Sequence, residues 1–248
     1  LTAVSTKSVS APAPVQRHLF GTDGIRGVAN SELTPLMALS LGAAAAHVLL
    51  EARHGERCRV VVGRDPRISG DLLGAALMAG FCSQGVDVLD VGVIPTPGVA
   101  YLTRTTGASA GVVISASHNP LQDNGIKFFG PNGKKLADAV EARIEAAMAT
   151  WESLPRPSGA GVGKISASRE PVGDYADHLV EICGGVRLDG LRLAIDAANG
   201  SASYLAGPLF ERLGAEVHLL SATPDGLNIN ADCGSLHPEH LAAETLRL

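Results

Sequence analysis

The stretch CRVVVGRD (58–65) restricts the fold more than any other. Its β-branched run lacks polar alternation and reads as a strand buried on both faces. A helical stretch follows, then Gly85 and a second run, VDVLDVG (86–92). That order is a β-α-β unit. It recurs further on, where LRLAIDAANG, a helix and GAEVHLL repeat the sequence of strand, polar loop, helix, glycine and strand. Two α/β domains of similar build are the expected organisation. The segment at 153–164, SLPRPSGAGVGK, is rich in Pro, Gly and Ser and is the best linker between them.

The remaining elements follow from periodicity and caps. Thr34-Pro35 opens a helix as N-cap and first residue, and the helix runs to about Arg53 before Gly55. Ser69 is the expected cap of a second helix reaching Ser83. Pro95 and Pro97 precede a short helix ending near Thr105, and AGVVISA (110–116) is the next strand. IKFF (126–129) is expected to pair after an Asn-Gly turn, and 136–151 has helical spacing. Helices are also expected from DYADHLVEICGGV and from Pro238 onward.

Composition excludes several classes. The chain is 46% hydrophobic and 18% charged, which suits a packed core, but aromatics are only 4%, so Ala, Val, Leu and Gly must fill it. A net charge of −5 gives no whole-chain attraction to nucleic acid or to a membrane surface. The longest apolar stretch, Leu36 to Leu50, is too short for a bilayer, carries His47 and reads as a buried Ala-rich helix. The first 17 residues have no apolar signal region and read as a disordered arm. Cys58, Cys82, Cys183 and Cys233 share no C-x-x-C spacing and read as reduced thiols in a cytoplasmic protein.

Three polar segments border strands. FGTDGIRG (20–27) sets Arg26, whose planar fork suits phosphate, among glycines able to expose backbone N–H groups. An ordinary turn with a surface arginine fits it too. GRDPRISG (63–70) follows a strand, where open α/β sheets place ligands. There Arg64 and Arg67 either bind anions or pair structurally with Asp65 or Asp71. GVVISASHNPLQDNGIKFFG (111–130) delivers Ser115, Ser117, His118 and Asn119 to a strand tip. A hydrolase is rejected, because no G-x-S-x-G elbow is present and adjacent residues in extended chain point apart. A serine carrying a phosphoryl group, with Arg26, Lys127, His118 or a metal offsetting its charge, fits better. A polar turn closed by Pro120 fits as well. GAGVGK (159–164) is no phosphate loop, since no strand precedes it, and DAANGS (196–201) reads as a structural turn.

Taken together, these segments resemble the α-D-phosphohexomutase superfamily, and within it the bacterial phosphoglucosamine mutases. FGTDGIRG, GRDPRISG, GVIPTPGV (92–99), VVISASHNP, DNGIKFF and NINADCGS carry the likeness, from about Leu19 to Leu248. It implies interconversion of glucosamine 6-phosphate and glucosamine 1-phosphate through a bisphosphate intermediate, in cell-wall precursor synthesis. Ser117 would be the phosphorylated catalytic residue, with His118, Lys127 and Arg26 around the transferring phosphoryl. Thr22, Gly24, Asn119 and Arg64 would bind substrate or phosphate. Mg²⁺ would bridge phosphorylated Ser117 and three aspartates of a D-G-D-x-D-R loop. The implied fold is α/β, with two similar domains, each a mixed sheet between helices: the first (18–158) and most of the second (159–248) of four. Hexosamine phosphate and the bisphosphate would be the ligands, with no nucleic-acid or membrane partner, and a homodimer is left open for the full-length family.

The departures matter as much. These 248 residues contain no D-G-D-x-D-R, no G-E-x-S-G-H-type sugar loop and no R-x-S-G-T-E-P phosphate loop. The chain is therefore expected to be a truncated part, cut before the metal loop and unable to turn over substrate alone. Phosphomannomutase/phosphoglucomutase and a non-catalytic phosphosugar-binding module are the alternative functions.

Overall fold

The computed structural model describes residues 19–21, 24–54 and 57–248. The arm expected over 1–17, Thr22 and Gly55 lie outside them. The first unit is built on β1 (Ile25–Val28), α1 (Pro35–Ala52), β2 (Arg59–Arg64), α2 (Ile68–Ser83), β3 (Asp87–Val93), α3 (Thr96–Thr105), β4 (Ala110–Ile114), β5 (Asp123–Phe129) and α4 (Asp138–Met148). Then come β6 (Ile165–Ala167), α5 (Glu170–Ile182), β7 (Arg192–Asp196), α6 (Ala206–Arg212), β8 (Glu216–Leu220) and α7 (Glu239–Arg247).

Six strands form one sheet in the order β1-β5-β4-β2-β3-β6. β2 runs parallel to both β3 and β4, while β5 is antiparallel to β4 and β1. From β2 the chain crosses through α2 to β3, then returns through α3 to β4 on the other side. The two crossovers cover opposite faces. On one, Leu41 and Leu77 of α1 and α2 pack with Val60, Val62, Ile114, Ile126 and Ile25. On the other, Val99 and Leu102 of α3 pack with Val61, Val91 and Val113. Val60 to Val62 are all buried, as a strand covered on both faces requires.

The Ala-rich stretch forms α1, with Ala38, Leu41 and Ala43 to Ala46 buried. Thr34 caps it, its hydroxyl accepting from the Met37 N–H at 3.2 Å, and Pro35 occupies the first turn. Length and apolarity would let this helix cross a membrane, yet half of it is buried inside the protein. The scarcity of aromatics is resolved by close approach. A Cβ on Gly42 would lie 2.2 Å from the Leu77 carbonyl oxygen, and one on Gly80 would lie 2.3 Å from that of Leu39. Glycine at both positions lets α1 and α2 touch backbone to backbone.

Three local expectations are corrected. Ser69 does not cap α2; the helix begins at Ile68 with Arg67 before it, and the Ser69 hydroxyl accepts from Asn124 Nδ2. Asn124-Gly125 is not a hairpin turn but lies within β5, because the reversal is made earlier, between Ile114 and Asp123. The glycine-rich segment around Arg26 is partly a strand, β1, paired to β5.

Both units are α/β, and the repeated pattern is real in form: β2-α2-β3 and β7-α6-β8 each end in a parallel pair. The second unit holds a two-stranded parallel sheet rather than a mixed one. Its first extended segment, β6, instead joins the edge of the first sheet beside β3. The linker before β6 is pinned by Asp87, whose carboxylate pairs with Arg57 at 2.8 Å and accepts the Lys164 N–H at 2.8 Å. Arg57 also donates to the Ala160 carbonyl at 3.3 Å. The four cysteines are unpaired, and burial pushes the thiols of Cys58, Cys82 and Cys233 up, away from the reactive thiolate.

Replacing Gly42 by Ala should destabilise the protein by about 2 kcal/mol, because backbone cannot yield as a side chain does; urea unfolding measures it. The linker should loosen in acid. The Arg57 guanidinium beside Asp87, helped by the Lys164 N–H, holds that carboxyl below its usual range. A depressed folded value gives stability that is complete above the ordinary carboxylate range and lost as pH falls through the lowered value. Proteolytic cleavage within 155–164 should therefore rise below about pH 4, and Asp87→Asn should show the faster cleavage already at neutral pH.

Candidate active site

The parallel strands β2 and β4 end side by side, with Arg64 opposite Ile114 and the Asp65 N–H donating to the Ile114 carbonyl at 3.0 Å. The crossover from β2 to β3 and the return from β3 to β4 lie on opposite faces, so the strand order reverses between β2 and β4, and their ends form the topological switch point, where open α/β sheets bind ligands. The chain continuing from β4 forms a tight polar loop there. Asn119 N–H donates to the Ala116 carbonyl at 3.1 Å, closing a turn around Ser117 and His118. Ser117 has φ +56°, a left-handed conformation unusual for a residue with a side chain. Such conformations cost on the order of 1–3 kcal/mol and persist only where the surroundings impose them.

The surroundings here are specific. Arg67 is 1% exposed. Its Nε donates to Asp65 Oδ2 at 3.0 Å, and its own N–H donates to Asp65 Oδ1 at 3.1 Å. Its terminal nitrogens donate to the carbonyls of Ser117 (3.0 Å), Asn119 (2.8 Å) and Pro120. Asp65 also accepts from the Ser115 hydroxyl at 2.7 Å, and Ser115 Oγ accepts the Ser117 N–H at 3.1 Å. Thus both the N–H and the carbonyl of Ser117 are held by one buried network. Downstream, Asn119 Nδ2 donates to Asp123 Oδ2 at 2.9 Å, fixing the return into β5.

Across the sheet, Arg26 of β1 lies opposite Gly125 of β5, and the Gly125 carbonyl accepts from Ser115 N–H. Lys127 lies opposite Val113. Opposed residues of antiparallel strands share a face, so Arg26, Ser115 and Lys127 stand on the α3 side, away from Ile25, Ile126 and Ile114. Gly125 is needed between them: a Cβ there would meet the Ser115 oxygen at 2.8 Å and Arg26 Cγ at 3.1 Å. Gly24 backs onto the same strand with φ +82°, and a Cβ on it would strike the Ile126 oxygen at 2.4 Å. Ser117, His118 and Arg26 are exposed, and Lys127 and Asn119 half-buried.

The structure therefore gathers Ser117, His118, Asn119, Lys127, Arg26 and Gly24 at one end of the sheet. Arg64 lies beside them in the sheet, but its guanidinium is turned to Asp71 at 2.7 Å and Asp90 at 3.4 Å. Arg67 takes the structural alternative, a buried pair with Asp65. Thr22 is outside the described residues. The role of Ser115 was not read from the sequence, and Asp65 was read only as an alternative ion-pair partner for the arginines, not as an acceptor for Ser115, although a strand ending in Ser-x-Ser beside a strand ending in Asp was the trace. A second-unit residue was missed as well: Asn230 Nδ2 donates to the carbonyls of Ser117 at 2.9 Å and Asn119 at 3.0 Å.

The model of the phosphoglucomutase/phosphomannomutase family, alpha/beta/alpha domain I, matches residues 17–155. This chain belongs to that family. A Desulforamulus reducens protein named phosphoglucosamine mutase is 54% identical over 230 residues, covering 92% of this chain and 51% of its own length. One of the same name from Pelotomaculum thermopropionicum is 56% identical over 227 residues, 90% of this chain and 50% of that one. The crystal structure of a phosphoglucomutase/phosphomannomutase family protein from Burkholderia thailandensis superimposes with a TM-score of 0.74 at 30% identity, over 93% of this chain and 49% of that chain. The chain spans about half the length of the curated relatives it matches.

Among the described residues, no three His, Cys, Asp or Glu side chains group as ligands for an ion. Asp65, beneath the serine loop, has both oxygens engaged by Arg67 and Ser115. These residues do not by themselves make a magnesium site.

Replacing Arg67 by Ala strands a buried carboxylate and leaves three loop carbonyls without their donor. Breaking such a pair costs about 3–5 kcal/mol, which equilibrium denaturation should show, whereas Arg64→Ala, on a partly exposed pair, should cost about 1 kcal/mol or less.

Proposed function

We propose that this chain carries the nucleophile of a phosphoglucosamine mutase. The observation that supports this best is Ser117: an exposed serine at the switch point, held in a left-handed turn by a buried network, with Arg26 and Lys127 on neighbouring strands. The choice of glucosamine phosphate over mannose or glucose phosphate rests on the names of relatives 54–56% identical to the chain.

In this reading Ser117 Oγ carries a phosphoryl group and passes it to a hydroxyl of hexosamine phosphate. The resulting bisphosphate reorients and returns its other phosphoryl group to Ser117. Phosphoryl transfer needs positioning and charge stabilisation more than covalent chemistry. The buried network supplies the first. Arg26, Lys127 and His118 supply the second, against the roughly −1.5 to −2 charges of a phosphoserine at neutral pH. Asn119 and Gly24 shape the walls, and Arg64 stands at the rim. Magnesium would add charge neutralisation, with ligands beyond those found here. Residues 18–158 form the serine-bearing domain and 159–248 the second. The full-length protein acts in the cytoplasm on soluble sugar phosphates.

Incubation of the full-length protein with a hexose 1,6-bisphosphate should place one phosphate on the peptide containing Ser117, read by mass spectrometry. Ser117→Ala should lower conversion of glucosamine 6-phosphate by about 10³-fold or more. A Ser117→Ala protein with unchanged turnover would refute the proposal.

A further inference from the structure

We infer that Asn230 is a positioning residue for the phosphoryl-carrying serine, supplied by the second unit to the loop of the first. The inference rests on the reading of Ser117 as the phosphoryl carrier. Asn230 and Ser117 lie 113 positions apart in sequence, yet the Asn230 amide donates to the Ser117 carbonyl at 2.9 Å and the Asn119 carbonyl at 3.0 Å. These are two of the three carbonyls that Arg67 holds. Each carbonyl oxygen has two lone pairs, so the two donors complete rather than displace one another. Arg67 grips the loop from within the first unit, and Asn230 grips it from the second.

Asn230 is itself firmly mounted. It has φ +57°, and its N–H donates to the Ala198 carbonyl at 2.9 Å. Ala198 belongs to the DAANGS turn after β7, where Asp196 accepts the Ala198 and Gly234 N–H groups at 2.8 and 2.7 Å. In the same turn Asn199, 9% exposed, accepts the Thr223 N–H and donates to the Asn228 carbonyl. That turn is thus the mount from which loop 223–234 reaches the serine. A second contact joins the units close by: the Ile68 N–H, at the start of α2, donates to the Gly226 carbonyl at 2.9 Å. The serine's backbone geometry therefore depends on docking of the second unit, through one side-chain amide.

The test uses the full-length protein. Asn230→Gly tolerates the left-handed backbone and removes only the amide, while Asn230→Asp keeps the shape and turns an acceptor toward two carbonyl oxygens. Both should slow transfer of phosphate from a hexose 1,6-bisphosphate onto Ser117, and kcat with it, by about 10²-fold. KM should stay within about twofold, since a misplaced nucleophile rather than lost substrate binding is the defect. If either variant unfolds, the other decides. Wild-type transfer rates in a folded variant, or a rise in KM at unchanged kcat, would overturn the inference while leaving Ser117 in its role. Failure of the Ser117→Ala control to lose activity would instead overturn the underlying reading.

Discussion

A guanidinium with almost no exposed surface governs this molecule's working end. Burying a charge is unfavourable unless it is paired and hydrogen-bonded. Arg67 meets both conditions, with Asp65 as its counter-charge and the carbonyls of Ser117, Asn119 and Pro120 as its remaining acceptors. The same bonds that make the arginine tolerable inside the protein fix the loop above it. Stability and site geometry are here one set of contacts, and the left-handed turn at Ser117 is sustained by them.

The sheet places that loop. β2 is flanked by partners reached through helices on opposite faces, so its end and that of β4 lie side by side where the strand order reverses. Glycines then let the cationic strands close in. Gly125 permits Arg26 to lie over β5 beside Ser115, and Gly24 permits β1 to start against Ile126. Arg26 and Lys127 thus share one face of the sheet on a chain whose net charge is −5, which shows how little the total charge says about a local field.

Much of this was legible beforehand. Val60 to Val62, Thr34-Pro35 and the two β-α-β patterns announce their elements, because burial and capping are local in sequence. The tip at 115–119 announced itself by polarity after an apolar run. What was not legible depends on distant pairing. Asn124-Gly125 looks like a turn, and only its partners, Ser115 and Arg26, explain a glycine inside a strand. Arg67 had two balanced readings, and its burial against a loop some 50 positions away decides between them. Ser69 resembles a cap until Asn124 is brought to it. Asn230 lies in NINADCGS, one of the segments that carry the resemblance, but nothing local shows that its amide reaches a loop 113 positions away.

The three residues of β6 carry a consequence of their own. They lie beyond the linker, yet they are the outermost rung of the first sheet, zipped along β3. A polypeptide ended at the linker would uncover the hydrogen-bonding groups along β3, a Val- and Leu-containing strand then left as an unpaired edge. Such a rim invites strands from other molecules. The natural seam between the two units is therefore a poor place to separate them: the short strip that looks like the threshold of the second is the selvage that keeps the first from fraying into aggregates.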